Sequence, residues 1–354
     1  MKKISKDNIS NKNLGIQLFR MFLSFWVVLD HCLINQNRQS FFILFKNRLH
    51  VPSFILISFF FSYKIIAGRN IVKLKQRFER LLIPYFIFPI IVLIVNNIAF
   101  FYFKFNILGG IITLYDLILQ FIIGRKFIAV FWFQFFLIWI TLLFIIISFA
   151  MKEKYLFILE LIYISSYVLR YSDLNYYYFM KFGGNIRLSL GLFIEVFPSS
   201  VSGSVMASLN IFSLIKKYYI KAIFFSSVSL FFIYKYNIFA NIKGIAYGGI
   251  VLDFCSIFLF IIFYLIPINN LKSSTFCKLI YHITKYTQGI YSLHLILQRA
   301  LNSILISIKN GTSFGCVIIY ILSYFISFIG EKLSRKTKLI YIAREEIYVC
   351  FLKK

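Results

Sequence analysis

An arginine and a histidine stand eleven residues apart inside one apolar stretch, and a second histidine opens the next stretch. The run Ile16 to Ile34 carries Arg20 near its start and His31 near its end. After a short loop, His50-Val51-Pro52 begins the second run. A charged side chain in hydrocarbon costs about 3 kcal/mol or more, so it usually faces a bundle interior, a partner or a water-filled cavity. At ~1.5 Å rise per residue the two groups lie ~16 Å apart along a helix. Over that span one site can be reached from both faces of a membrane. An imidazole titrates near neutrality and suits a general base, whereas a guanidinium fork suits phosphates. A plainer reading is equally open, in which Arg20 snorkels to the headgroups and His31 rests at the far interface.

The elements that must position these groups are membrane helices. Of 354 residues 60% are hydrophobic and 14% charged, with a mean hydropathy of +0.82. A soluble domain is about 45–50% apolar and about 25% charged, so the composition excludes one. Apolar runs of roughly 18–23 residues place about ten helices near 14–34, 50–67, 81–103, 127–150, 154–172, 186–208, 218–240, 244–267, 286–308 and 313–330. Glu160, Arg170, Glu195 and Pro198 interrupt the fifth and sixth. Leu114–Ile123 is too short to cross and suits the interface or a re-entrant turn. The expected fold is all-α, a polytopic membrane protein, with residues 1–13 before the ten-helix domain 14–330 and a short basic tail at 331–354. The first helix follows a Lys-rich start and reads as a signal anchor.

The net charge of +27 lies in short loops, where it sets topology and meets anionic lipid. One side collects Lys2, Lys3, Lys6 and Lys12, the Lys64–Arg80 segment, Lys152, Lys154, Lys216, Lys217, Lys221, Lys272, Lys278, Lys285 and the tail. The opposite loops hold roughly half as many, which sets both termini in the cytoplasm. His31 and His50 then share the extracytoplasmic end of the first hairpin, while Arg20, Arg77 and Arg80 lie toward the cytoplasm. Nucleic acid is excluded as a partner, since no soluble basic domain exists to bind it. Five single cysteines without a CxxC pair give neither a disulfide framework nor a metal site. No HExxH, Gly-rich phosphate loop or nucleophile elbow is present.

Five segments resemble one family. Arg20 to Val27-Val28-Leu29-Asp30-His31 resembles the opening signature of the acyltransferase family 3 integral-membrane proteins, with an Arg, a Val-rich stretch and a His at this spacing. His50-Val51-Pro52-Ser53-Phe54-Ile55-Leu56-Ile57-Ser58 resembles the second-helix motif of the subgroup similar to fucose 4-O-acetylases. Arg77-Phe78-Glu79-Arg80 through Pro84-Tyr85 resembles the arginine-rich start of the third helix, read here as basic cytoplasmic loop. Phe131-Trp132-Phe133 and Gly289-Ile290-Tyr291-Ser292-Leu293-His294 resemble later motifs. Two positions depart from the pattern: Phe59 stands where a Gly is expected, and Gln134 where an apolar residue is common.

The resemblance implies transfer of an acyl group, usually acetyl, from cytoplasmic acyl-CoA to an extracytoplasmic carbohydrate hydroxyl. Acetyl-CoA or another acyl-CoA is then a donor substrate, with no permanently bound cofactor and no metal. The acceptor is a surface polysaccharide or lipid-linked glycan, and the setting is a multi-pass protein of a bacterial inner or plasma membrane. Such transfer needs a base for the hydroxyl proton and a donor to the oxyanion. His31 suits the base and His50 could orient substrate or donate, so these two are the expected catalytic residues. Arg20, Arg77 and Arg80 suit the phosphates of CoA. Asp30 cannot orient His31, because adjacent helical residues point about 100° apart; Glu195 and Asp253 are the intramembrane carboxylates that could. His294 is expected deeper, in the cytoplasmic half of its helix, as a polar contact between helices. The rival class is a multi-pass transporter or flippase of a glycan or small solute. Paired histidines above arginines, in this motif order, favour the transferase.

Overall fold

The computed structural model describes residues 13–32, 49–103, 110–124, 131–171, 184–209, 215, 217–235, 250–266, 275–304 and 313–336. Every regular element among them is helical. In chain order these are α1 (Leu14–Cys32), α2 (His50–Ala67), α3 (Ile71–Phe103), α4 (Leu114–Ile123), α5 (Phe131–Met151), α6 (Tyr155–Tyr171), α7 (Gly184–Ser208), α8 (Tyr219–Lys235), α9 (Ile250–Leu265), α10 (Thr275–Lys285), α11 (Thr287–Ile304) and α12 (Ser313–Lys336). Among the described residues five stretches are long and apolar enough to cross a membrane: Leu14–His31, His50–Ala67, Ile71–Tyr102, Phe131–Ser165 and Gly315–Lys332. The fold is an all-α polytopic membrane protein. Ile90, Ile94, Ile98, Trp139, Phe225 and Ile326 are among the large apolar side chains on its exterior, where lipid rather than water is the natural solvent.

Three differences from the sequence reading bear on the site and its surroundings. α3 begins at Ile71 rather than 81, so Arg77 and Arg80 ride on a helix and not in a loop. Asn70 explains the early start: its side chain accepts from the Lys73 N–H at 3.0 Å, which caps the helix despite the basic run. Thr275–Lys285, read as loop, forms α10 and buries Cys277 and Ile280 beside α1. α12 continues past 330 to Lys336, so Glu331 belongs to a helix. The break between α5 and α6 falls at Lys152, whose φ of 43° lies in the left-handed region. The short α4 is closed by a Thr113–Asp116 capping box and by Gly124 at φ 74°.

α2 lies at the centre of the bundle, with α7 along it and α1, α5 and α9 around it. Val51, Ile55, Phe59 and Ile66 of α2 pack with Trp132, Phe136, Ile140 and Phe144 of α5 and with Val196, Phe197 and Val201 of α7. Helices in lipid gain little from apolar burial as such, so close packing of small residues matters more. α7 carries Ser199, Ser200, Ser202, Gly203 and Ser204 toward its neighbours, all but Gly203 itself being polar and buried. A Cβ at Gly203 would collide with the Leu56 carbonyl oxygen, so only glycine permits this approach of α7 to α2.

Both departures from the family pattern have a packing reason. Phe59 is fully buried against Phe144, with ring centroids 4.8 Å apart. Gln134 donates its side-chain amide to the Leu81 carbonyl at 2.5 Å. That carbonyl lies in the turn of α3 that Pro84 disturbs, since proline has no N–H and crowds the preceding turn. The bond ties α5 to α3 beside Pro84.

Candidate active site

α1 and α11 run side by side in the same direction, and their contact holds most of the site. Near the start of both helices, Arg20 Nη2 donates to Thr287 Oγ1 at 3.2 Å, and Arg20 Nη1 lies 3.4 Å from Gln17 Oε1. Near the end of α1, the amide of Gln298 donates to the His31 backbone carbonyl at 3.0 Å. Between these two ties the ring of His31 faces that of His294, with centroids 5.1 Å apart and planes inclined by 38°. His31 is partly exposed, whereas His294 is 1% exposed.

The expectation that His294 lies well below His31 is therefore corrected. Gln298, four residues beyond His294, is level with the His31 carbonyl. Four residues are ~6 Å of helix, and helical side chains lean toward the N-terminus. The His31 ring thus reaches back to the turn that holds His294. Within His294 the Nδ1 atom lies 3.2 Å from the Ile290 carbonyl oxygen and so carries the proton there. Its Nε2 is then an acceptor, and that atom is buried with no hydrogen-bond partner. Gly289, the first residue of this motif, packs so tightly that a Cβ would collide with the Ser327 hydroxyl, which holds α11 against α12.

His50 opens α2 and is 2% exposed. Its ring sits 6.4 Å from that of Trp26, five residues before His31 on α1. Asp253 is 1% exposed and accepts a very short hydrogen bond from Ser199 of α7. The side chain of Glu195 lies outside the described residues.

The remaining arginines form a second centre. Arg77 donates from Nε and Nη2 to Thr141 Oγ1 at 3.3 and 3.1 Å, and from Nη2 to Ser58 Oγ at 3.2 Å. Its guanidinium carbon also lies 5.3 Å over the Phe59 ring. α3 is thereby tied to α2 and α5 through one side chain. Arg80, partly buried, follows one turn later on α3. The structure thus brings Arg20 and His31 onto one helix face, sets the His50 ring beside Trp26 on another face of α1, and holds Arg77 in a separate node.

Sequence reasoning gave no role to Thr287, Gln298, Ser58 or Thr141. A signal for the first two exists: Thr287, Tyr291, His294 and Gln298 recur at spacings of four, three and four, one polar stripe on α11. The partners of Arg77 carry no comparable mark, because a lone Ser or Thr in an apolar helix is common.

A helical membrane bundle with imidazole and guanidinium groups along one interhelical face defines the class of protein. The model of the acyltransferase family 3 domain matches residues 13–331, and the chain belongs to that family. No curated protein and no solved structure matches it significantly.

Proposed function

We propose that this acyltransferase moves an acyl group, acetyl in the simplest case, from cytoplasmic acyl-CoA to a hydroxyl of an extracytoplasmic cell-surface carbohydrate. The observation that carries this reading is the α1 face on which Arg20 and His31 stand ~16 Å apart, both held by α11. A pantetheine arm spans such a distance. With its phosphates near Arg20, the thioester carbonyl comes to His31.

His31 takes the proton from the sugar hydroxyl as its oxygen bonds to the thioester carbon. The tetrahedral oxyanion needs a donor, a role suited to His50. As the C–S bond breaks, the electron pair leaves on sulfur, and the imidazolium of His31 returns its proton to the thiolate. The products are the acyl ester and CoA, with His31 regenerated. Arg80, on the same α3 segment as Arg77, adds positive charge for the nucleotide phosphates. Arg77 is already engaged with Ser58 and Thr141, so its part is to hold this segment in place.

The test is to incubate membranes containing the protein with labelled acetyl-CoA and follow label into glycan. Label in glycan that depends on His31 is the expected result. Glycan that crosses the membrane without acquiring label would instead favour a transporter.

A further inference from the structure

The α1 face that carries Arg20 and His31 holds a further polar group between them. Arg20, Ser24, Val27 and His31 recur at spacings of four, three and four, so they lie within about 40° of one line along the helix. Ser24 is fully buried, and its hydroxyl meets the Tyr320 hydroxyl of α12 at 3.0 Å. We propose that Tyr320 recognises the acyl donor, its hydroxyl oxygen accepting the N–H of the pantoyl amide in the pantetheine arm of acyl-CoA. The inference rests on the acyl-CoA reading and adds the contact made partway along the arm.

The direction of the hydroxyl pair follows from counting protons. A serine hydroxyl has a single proton, and that of Ser24 goes to the Met21 carbonyl at 2.7 Å. The bond between the two hydroxyls is therefore donated by Tyr320. The Tyr320 oxygen keeps its capacity to accept, and among the described residues no N–H or O–H is directed at it. Phe25 holds the ring edge-on, with centroids 5.4 Å apart. Tyr320 is partly exposed where Ser24 is not, so a ligand meets the pair from the tyrosine side. Distance selects the amide. Ser24 stands ~6 Å beyond Arg20 and ~10 Å before His31 along α1. In an extended pantetheine arm the pantoyl amide nitrogen lies ~7 Å from the phosphorus and ~10 Å from the thioester carbon, at ~1.2 Å per bond. An arm with its phosphate at Arg20 and its thioester at His31 thus brings that amide level with Ser24 and Tyr320.

The experiment measures binding of two probes to the full chain in detergent by equilibrium dialysis. One probe is acetyl-CoA, and the other is its analogue with an ester oxygen in place of the pantoyl amide N–H. The analogue keeps the length of the arm and cannot donate at that position. Wild type is expected to bind acetyl-CoA about threefold to tenfold more tightly than the analogue, the range for one neutral hydrogen bond. Tyr320→Phe keeps the ring against Phe25 and loses only the oxygen. It should bind the two probes alike, with acetyl-CoA weakened by the same factor. Equal binding of both probes by wild type overturns the proposal, as does a Tyr320→Phe variant that prefers acetyl-CoA as wild type does. If Tyr320→Phe does not insert, the wild-type comparison decides alone. Wild type that binds neither probe overturns the acyl-CoA reading and this proposal with it, whereas equal binding of the two overturns this proposal only.

Discussion

The guanidinium of Arg77 lies 5.3 Å over the ring of Phe59, the residue that stands where relatives are expected to carry glycine. Arg77 also bonds Ser58 and Thr141, so an arginine expected to face CoA in a loop is a pin between α2, α3 and α5. The aromatic ring fills the space beside α5 and offers the cation a face, an arrangement worth about 2 kcal/mol when desolvated.

Phe59→Ala should therefore destabilise the protein by about 3–5 kcal/mol, the usual cost of emptying a buried phenylalanine site. The midpoint of heat-induced aggregation in detergent is the measurement. An unchanged midpoint would mean that α2 and α5 close the gap without loss. Arg77→Lys should also lower the midpoint, because one ammonium cannot reproduce the fork to Ser58 and Thr141.

Arg20→Ala should weaken acyl-CoA use while insertion persists, and Arg20→Lys should recover activity only partly. Initial rates against acyl-CoA concentration report this as a raised KM. A variant with wild-type KM would leave Arg20 as a snorkelling residue tied to Thr287.

His31→Ala and the near-isosteric His31→Gln should lower glycan acylation by about 10²–10⁴-fold, the range expected for removing a general base. His50→Ala should do less harm. Transfer should also fall on the acid side of neutrality, where a protonated imidazole cannot accept. Acylated glycan per unit of inserted protein distinguishes the variants, and near-wild-type turnover in His31→Gln would rule out His31 as the base.

Single cysteines placed at positions 35–48 of a cysteine-free background should label with an impermeant reagent from outside. Cys255, Cys277 and Cys316 are buried, so their removal needs volume-conserving replacements. Labelling only after permeabilisation would invert the topology and move the histidines away from an outer acceptor.

His282 of α10 provides a pH test away from the hydrocarbon. Desolvation against its aromatic neighbours and the nearby Lys285 lower its pKa, with Glu331 opposing them. Its Nδ1 lies 2.5 Å from the Tyr324 hydroxyl. A depressed histidine binds fewer protons folded than unfolded, so stability is complete above the ordinary histidine range and is lost as pH falls through it. Thermal midpoints of wild type should drop between about pH 7 and 6, and those of His282→Gln should drop less. Parallel curves for the two would remove His282 from the pH response.

The class of protein, its helical content and the pairing of Arg20 with His31 were legible in the chain itself. Apolar runs and the periodicity of α1 depend on neighbours in sequence, and hydrophobic length alone decides what can cross a bilayer. The helical start at Ile71 was hidden because six basic residues in a row of seventeen read as loop, although Asn70 marked the cap. What stands beside each functional group was decided only in three dimensions. His31 and His294 are separated by 263 positions, and Arg20 and Thr287 by 267. No local pattern states that α11 lies along α1 in the same direction and at this height. That register comes from Gly289 against α12, from the Thr287 and Gln298 bonds, and from close packing that admits one arrangement of facing side chains.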